Sequence, residues 1–333
     1  MRAPHNGRCV ALCSPATDSY CALVWLIMDL DLAQLRALSA TVAEGTFEAA
    51  ARALNVTPSA ISQRIKALEQ SVGRVLLQRS KPVRVTESGE AILRLARNID
   101  LLAADARLSL GGAGGADSGA ADGAPAARPA PVSIPLAVNA DSLATWILPA
   151  LAALPDSMTF DIQRDDQDHT TALLRSGSVM AAVTAIRSPI QGCTSTPLGA
   201  MRYRMMCTPA FAETWFTDGV TAAALAQAPV VVFDRKDDLQ DAYLRRRAHR
   251  TLHSPKHYIP ASDDFVSAVR HGLGWAMLPD LQTGAAEERG ELVELDRDSA
   301  ADVHLYWQQW QLRSTSLDLV AEAVRVAAAR ELR

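Results

Sequence analysis

No apolar run in this chain approaches the roughly eighteen residues that a membrane span needs. None of its five cysteines (Cys9, Cys13, Cys21, Cys193, Cys207) forms a CxxC pair. An odd count without paired spacing argues against a disulfide framework and fits a reducing cytosol. His5, Cys9 and Cys13 match no zinc-ligand spacing, so neither a metal nor a cofactor is expected. There is also no GxSxG elbow, no Walker A loop and no HExxH helix. His271-Gly272-Leu273-Gly274 reads as a helix end with Gly272 as its cap rather than as an oxyanion loop. An enzyme is therefore not expected.

What remains is ordinary for a soluble protein of two or three domains: 333 residues, 49% hydrophobic and 21% charged. Residues 1–27 stand apart. They hold three of the cysteines and show no clear periodicity, and no small-residue cleavage site follows the short apolar run from Ala22. They are expected to be a disordered extension, or else Met28 is the true start.

The strongest signal lies in residues 46–84. Thr46 can cap a short helix carrying Phe47, Ala50, Ala51 and Leu54. Asn55-Val56 breaks it. Thr57 caps a second helix with Pro58 at its first position, and Gly73 ends it. Ile61, Ile65, Leu68 and Val72 share one face of that helix, and Ser59, Gln63, Lys66 and Gln70 share the other. A first helix over residues 29–44 and a hairpin around Val75–Val85 complete a winged helix-turn-helix. From Arg52 to Arg84 seven Lys or Arg face one acid, Glu69, although the whole chain carries −4. A basic segment in an acidic chain is the footprint of phosphate contact, so double-stranded DNA is the expected partner.

Thr86 then caps a long helix in which Ile92, Leu95, Ile99, Leu102 and Ala106 form a heptad seam, thickened by Leu93, Leu101 and Leu108. A lone helix cannot bury that face, so pairing with a second copy is expected. Residues 111–131 are Gly/Ala/Pro-rich and read as a flexible linker. Beyond them short apolar strands alternate with helices, predicting a parallel-sheet α/β region. Strands are expected at 132–138, 159–163, 179–184, 201–207, 229–233, 257–261, 275–279, 292–296 and 303–310. A chain that leaves one sheet, builds a second and returns makes two lobes with a ligand cleft.

This layout resembles the LysR-type transcriptional regulators over residues 29–330. The segment FEAAARALNVTPSAISQRIKALEQSVGRVLLQR is similar to that family's DNA-binding signature. The segments VNADSLATWILPAL, GAMRYRMMCTPAF, VVVFDRKDDLQDAYLRR and ASDDFVSAVRHGLGWAMLP resemble the branch that responds to lysine and arginine and activates a basic-amino-acid exporter gene. The resemblance implies an α/β protein with an N-terminal all-α winged helix-turn-helix and a two-lobed effector domain like the periplasmic binding proteins. On this basis residues 28–86 are the DNA-binding domain, 87–110 the linker helix, and 111–131 the flexible linker. Residues 132–206 with 287–333 make lobe I, and 207–286 lobe II. It also implies a homodimer or homotetramer on promoter DNA, with RNA polymerase as a further partner. The alternative is an architectural or replication-origin DNA-binding protein without small-molecule control.

Thr57, Ser59, Ser62 and Gln63 are the candidates for base edges, since Gln pairs bidentately with adenine and Ser or Thr with several bases. Arg64, Lys66, Arg79, Ser80 and Lys81 are candidates for phosphate. For a lysine or arginine effector, Asn139, Asp141 and Ser142 lie between a strand and a helix N-terminus, where a carboxylate is favoured. Asp141, Asp165 and Asp168 would take the amines and Trp146 would stack on them. Thr184 ends a strand at the same edge, and Ser262 and Asp263 follow a strand in lobe II and could close the cleft.

Overall fold

Local capping sets the N-terminal unit, which ends at Asp100. The computed structural model describes residues 30–113, 131–164 and 167–333; for 111–113 and 167–169 it describes the backbone alone. The expectations for residues 1–27, including Met28 as the start and the His5, Cys9 and Cys13 set, lie outside these, as does the linker from 114 to 130. Helix α1 (Leu32–Glu44) is capped by the Asp31 carboxylate and ends at Gly45. Helix α2 (Phe47–Ala53) begins where Thr46 accepts from the Ala49 N–H at 3.1 Å. Asn55, at φ 52°, turns the chain into α3 (Pro58–Val72). Thr57 caps α3 through the Ala60 N–H, and Gly73 stops it at φ 70°, a conformation that penalises any side chain. Leu35, Leu38, Ile61, Ile65 and Leu68 are buried together, each burial stabilising by about 1.5–3 kcal/mol. Strands β1 (Leu77–Gln78) and β2 (Arg84–Val85) pair antiparallel as the wing.

Helix α4 (Glu87–Ala113) starts against the wing. Thr86 accepts from the Gly89 N–H at 3.1 Å and donates to the Val75 carbonyl at 2.7 Å. A Cβ on Gly89 would lie 2.0 Å from the Leu76 carbonyl oxygen, so only glycine allows this approach. The expected seam is not the buried line of this helix. Leu93 and Ala96 enter the core of the first unit, and Leu101 and Ala104 that of the second. Ile92, Leu95 and Ile99 are half-buried, while Leu102 stays 42% and Leu110 77% exposed.

The second unit runs from Leu101 to Arg333. Strand β3 (Val132–Val138) leads into a helical stretch made of α5 (Ala140–Ser142), a π turn (Leu143–Ile147) and α6 (Leu148–Ala152). Next come β4 (Met158–Arg164), α7 (Gln167–Ser176), β5 (Ala181–Thr184) and the long β6 (Cys193–Cys207). The chain then builds α8 (Pro209–Trp215), α9 (Ala222–Gln227), β7 (Val230–Val232), α10 (Leu239–Ala248), β8 (Lys256–Tyr258) and α11 (Ser262–Arg270). It follows with β9 (Ala276–Pro279), α12 (Asp280–Glu288) and β10 (Val293–Glu294), and returns through β11 (Ala301–Trp310) and α13 (Thr315–Glu331).

The fold is α/β and two-lobed, but the sheet is mixed rather than parallel. Among the named strands of the described residues, β4–β3–β5 and β7–β8 pair parallel, whereas β6 pairs antiparallel with β11, β9 and β10. The first part of β6 belongs to lobe I through β11. From Tyr203 onward it also pairs with β9 of lobe II, so Tyr203 faces Ala301 on one side and Pro279 on the other. The turn after α11 has His271 as the cap and Gly272 beyond it at φ 77°.

Helix α13 packs on the π turn, α6 and β6. Its N-terminus is gripped by Asp105 on α4. The Asp105 carboxylate accepts from the Ser314 hydroxyl at 2.7 Å, from the Ser316 N–H at 3.3 Å and from the Ser316 hydroxyl. An anion at a helix N-terminus is stabilised by the unpaired N–H groups there.

Candidate nucleic-acid interface and ligand cleft

In the first unit, Thr57, Ser59 and Gln63 are exposed and Ser62 is half-buried along the outer face of α3. Ser59 and Ser62 line a groove of about 360 Å³ together with Phe47 and the wing residues Arg79, Ser80 and Lys81. The Arg79 guanidinium lies 5.7 Å from the centre of the Phe47 ring, which holds its charge beside the groove. Ser80 differs from its expected role. Its hydroxyl donates to the Pro82 carbonyl at 2.5 Å, so its proton shapes the wing turn instead of being offered to a phosphate. Lys66 is exposed, while Arg64 is half-buried beside Ile65. Glu69, the single acid of the basic stretch, turns inward and accepts from the Leu76 and Leu77 N–H groups at 2.8 and 3.3 Å. Its charge is spent on the wing backbone.

In the second unit, a cleft of about 410 Å³ is lined from lobe I by Asn139 and Asp141, from β6 by Tyr203, and from lobe II by Phe233, Asp234, Asp237 and Phe265, among others. Asn139 caps α5 through the Ser142 N–H at 2.9 Å. Asp141 accepts from the Tyr203 hydroxyl at 2.6 Å and from the Ser262 hydroxyl at 2.8 Å. Asp237 accepts from the Phe233 and Leu239 N–H groups, both at 3.1 Å. Asp234 accepts from the Lys236 and Asp237 N–H groups at 2.6 and 2.9 Å, which folds the loop after β7. Burial, with Asp141 and Asp234 nearby, pushes the Asp237 carboxyl above its usual range against the pull of the two N–H donors. Burial, with the Asp141 charge, likewise pushes the Tyr203 phenol well up, so it remains a proton donor.

Several sequence candidates fall elsewhere. Trp146 does not line the cleft. It sits in the π turn, 2% exposed, with its indole N–H buried and without a hydrogen-bond partner. The aromatic wall is built by Phe233, Phe265 and Tyr203 instead. Ser142 is fully buried and its hydroxyl has no partner. Thr184 is buried, and its hydroxyl oxygen accepts from the Ile186 N–H at 3.2 Å. Ser262 reaches Asp141, but Asp263 beside it is exposed. Asp165 and the side chain of Asp168 lie outside the described residues. Sequence reasoning missed Tyr203, Asp234 and Asp237. The signal for the two acids was the run FDRKDD directly after a strand, where α/β sheets place their ligand loops.

Comparison with known proteins fits this geometry. Residues 32–90 match the family described as bacterial regulatory helix-turn-helix protein, lysR family, and residues 133–329 match the LysR substrate binding domain. The HTH-type transcriptional regulator LysG of Mycobacterium tuberculosis is 43% identical over 90% of this chain and 94% of its own length. The lysine export transcriptional regulatory protein LysG of Corynebacterium glutamicum is 37% identical over 90% of this chain and 98% of its own. Among solved structures, ArgP from M. tuberculosis superposes with a TM-score of 0.77 at 42% identity, covering 92% of this chain and 99% of that one. Full-length LysG from C. glutamicum with bound effector Arg superposes at 0.68 with 36% identity, covering 91% of this chain and all of that one.

Proposed function

Because the chain belongs to the LysR family of helix-turn-helix transcriptional regulators, we propose that it activates a basic-amino-acid exporter gene and that free arginine or lysine in the cleft controls it. The observation that carries this reading is the state of the cleft carboxylates. Asp141 accepts from the Tyr203 and Ser262 hydroxyls, and Asp237 from the Phe233 and Leu239 N–H groups and the Gln240 side-chain amide, so acids from both lobes gather in one cleft. Carboxylates crowded in a partly buried cleft repel one another, and a bound ammonium or guanidinium relieves that cost. The relatives point the same way, one being named for lysine export and one solved with arginine.

Calorimetry with each amino acid tests the reading; no binding of either would overturn it. The pH dependence has a definite sign. A bound cation favours ionised Asp237, whose carboxyl burial holds above its usual range. Binding should therefore release protons, and affinity should fall as pH drops through that raised value. Calorimetry in two buffers of different ionisation heat reads the proton count, and uptake instead of release would contradict the role of Asp237.

On DNA, we assign base reading to α3 and phosphate contact to Arg79, Lys81 and Lys66. Gln63→Ala should weaken binding to the regulator's own upstream region by about 1–3 kcal/mol while leaving an unrelated duplex unaffected. Equal losses on both duplexes in a gel shift at fixed salt would remove Gln63 from base readout. The exposed Leu102 and Leu110 on α4 support a paired assembly reading two half-sites. A footprint that changes with arginine or lysine separates this function from an architectural one.

A further inference from the structure

Lobe I grips one short segment of lobe II at two points. At the first, the Ser262 hydroxyl, at the start of α11, donates to Oδ1 of Asp141 at 2.8 Å. At the second, two residues earlier, the Pro260 carbonyl accepts from Arg164 Nη2 at the end of β4, at 3.3 Å. Ser262 is itself oriented, because its Oγ accepts from Nε2 of Gln282 on α12 at 3.0 Å. The other Asp141 oxygen takes the Tyr203 phenol at 2.6 Å. Ser262 and Tyr203 are each 7% exposed. The donors thus run in one direction, from Gln282 to Ser262 to Asp141, with Tyr203 closing from the other side. An ionised carboxylate offers about four acceptor positions. Two hydroxyl donors therefore fix Asp141 and leave positions for a cation in the cleft that Asp141 lines.

We propose that Ser262, aligned by Gln282, is a positioning residue: it locks the Asp141 carboxylate toward the cleft and clasps the two lobes in the arrangement that binds the ligand. This rests on the cleft being a basic-amino-acid site. Without the clasp, Asp141 regains rotamer freedom, and the lobes spend less time in the competent arrangement. Apparent affinity then falls in proportion to that population.

The test uses the full-length protein and two measurements. The first is the affinity and dissociation rate of arginine and lysine. Ser262→Ala should weaken both ligands by about tenfold, mostly through faster dissociation. Ser262→Thr, which keeps the hydroxyl, should restore binding to within about threefold, and Gln282→Leu should fall between the two. The exposed Asp264→Ala should match the wild type. The second measurement needs no ligand: hydrogen exchange across residues 258–270 should be faster in Ser262→Ala than in the wild type or Ser262→Thr. Unchanged affinity and dissociation in Ser262→Ala would overturn the proposal, as would unchanged exchange. A wild type that binds neither amino acid, yet shows the exchange difference, would overturn the ligand reading and leave the clasp standing. Ser262→Thr as weak as Ser262→Ala would point to packing and overturn the hydroxyl's role.

Discussion

Arg204→Met should lower the unfolding free energy by about 3 kcal/mol, because it strands three partly buried acids. Arg204 lies on β6, with its side chain 18% exposed, and joins three carboxylates at once. Its Nε contacts Asp280, its Nη2 lies 2.7 Å from Glu287, and its Nη1 lies 3.1 Å from Glu294. Burial works against the guanidinium charge, but the hydrogen bonds the guanidinium donates to Asp280 and Glu294 outweigh it and raise its pKa further. Methionine fills the stem and strands the acids. Arg333 reaches Asp280 at 2.9 Å but is 58% exposed, so it offsets little. Arg204→Lys should not rescue the loss, since one ammonium cannot serve three acceptors spread around a planar fork. Urea titration measures it; a loss under about 1 kcal/mol would mean that the acids relax into water.

The second large effect falls on ligand control. Asp141→Ala should weaken arginine and lysine by about 2–5 kcal/mol, at least thirtyfold. It removes the lobe I charge and leaves the Tyr203 and Ser262 hydroxyls without their acceptor. Asp141→Asn keeps an acceptor without the charge and should lie between. Basal DNA affinity, set in the first unit, should hold within about twofold. An Asp141→Ala protein that binds arginine within about threefold of wild type would move the cation site away from Asp141.

The DNA-binding half was legible because its instructions are local. Thr46, Thr57, Pro58 and Gly73 each act within four residues of themselves, and each does in the structure what its residue type dictates. The strands of the effector half were legible as apolar runs, but their partners were not. Strand β6 was expected from residue 201, yet it begins at Cys193. The polar Thr194–Thr196 segment becomes strand only because β11 lies beside it. Parallel or antiparallel pairing is a long-range outcome that no hydropathy period carries. Trp146 was misplaced because a π turn interrupts its helix, and an extra residue in a turn shifts which side chains share a face. The stripe of α4 that its own units bury was not legible either. Leu93 and Leu101 face the cores of their own units, and only the folded units show which stripe they claim. Asp234 and Asp237 become cleft residues only because the fold brings Phe233, Tyr203 and Asp141 around them.

The grip of Asp105 on α13 moves the natural cut in this chain. Composition invites cleavage in the Gly/Ala-rich stretch, but the second unit already begins at Leu101, inside a helix. A fragment starting at residue 132 would leave the Leu101 and Ala104 footprint open to water. It would also take the carboxylate partner from the start of α13, the helix packed on the π turn and α6 that follow Asn139 and Asp141. The substrate-binding domain of this regulator is thus a module that borrows its first brace from upstream of its own apparent boundary. Swapping it onto another DNA-binding head, or expressing it alone, should be done with the join before residue 101.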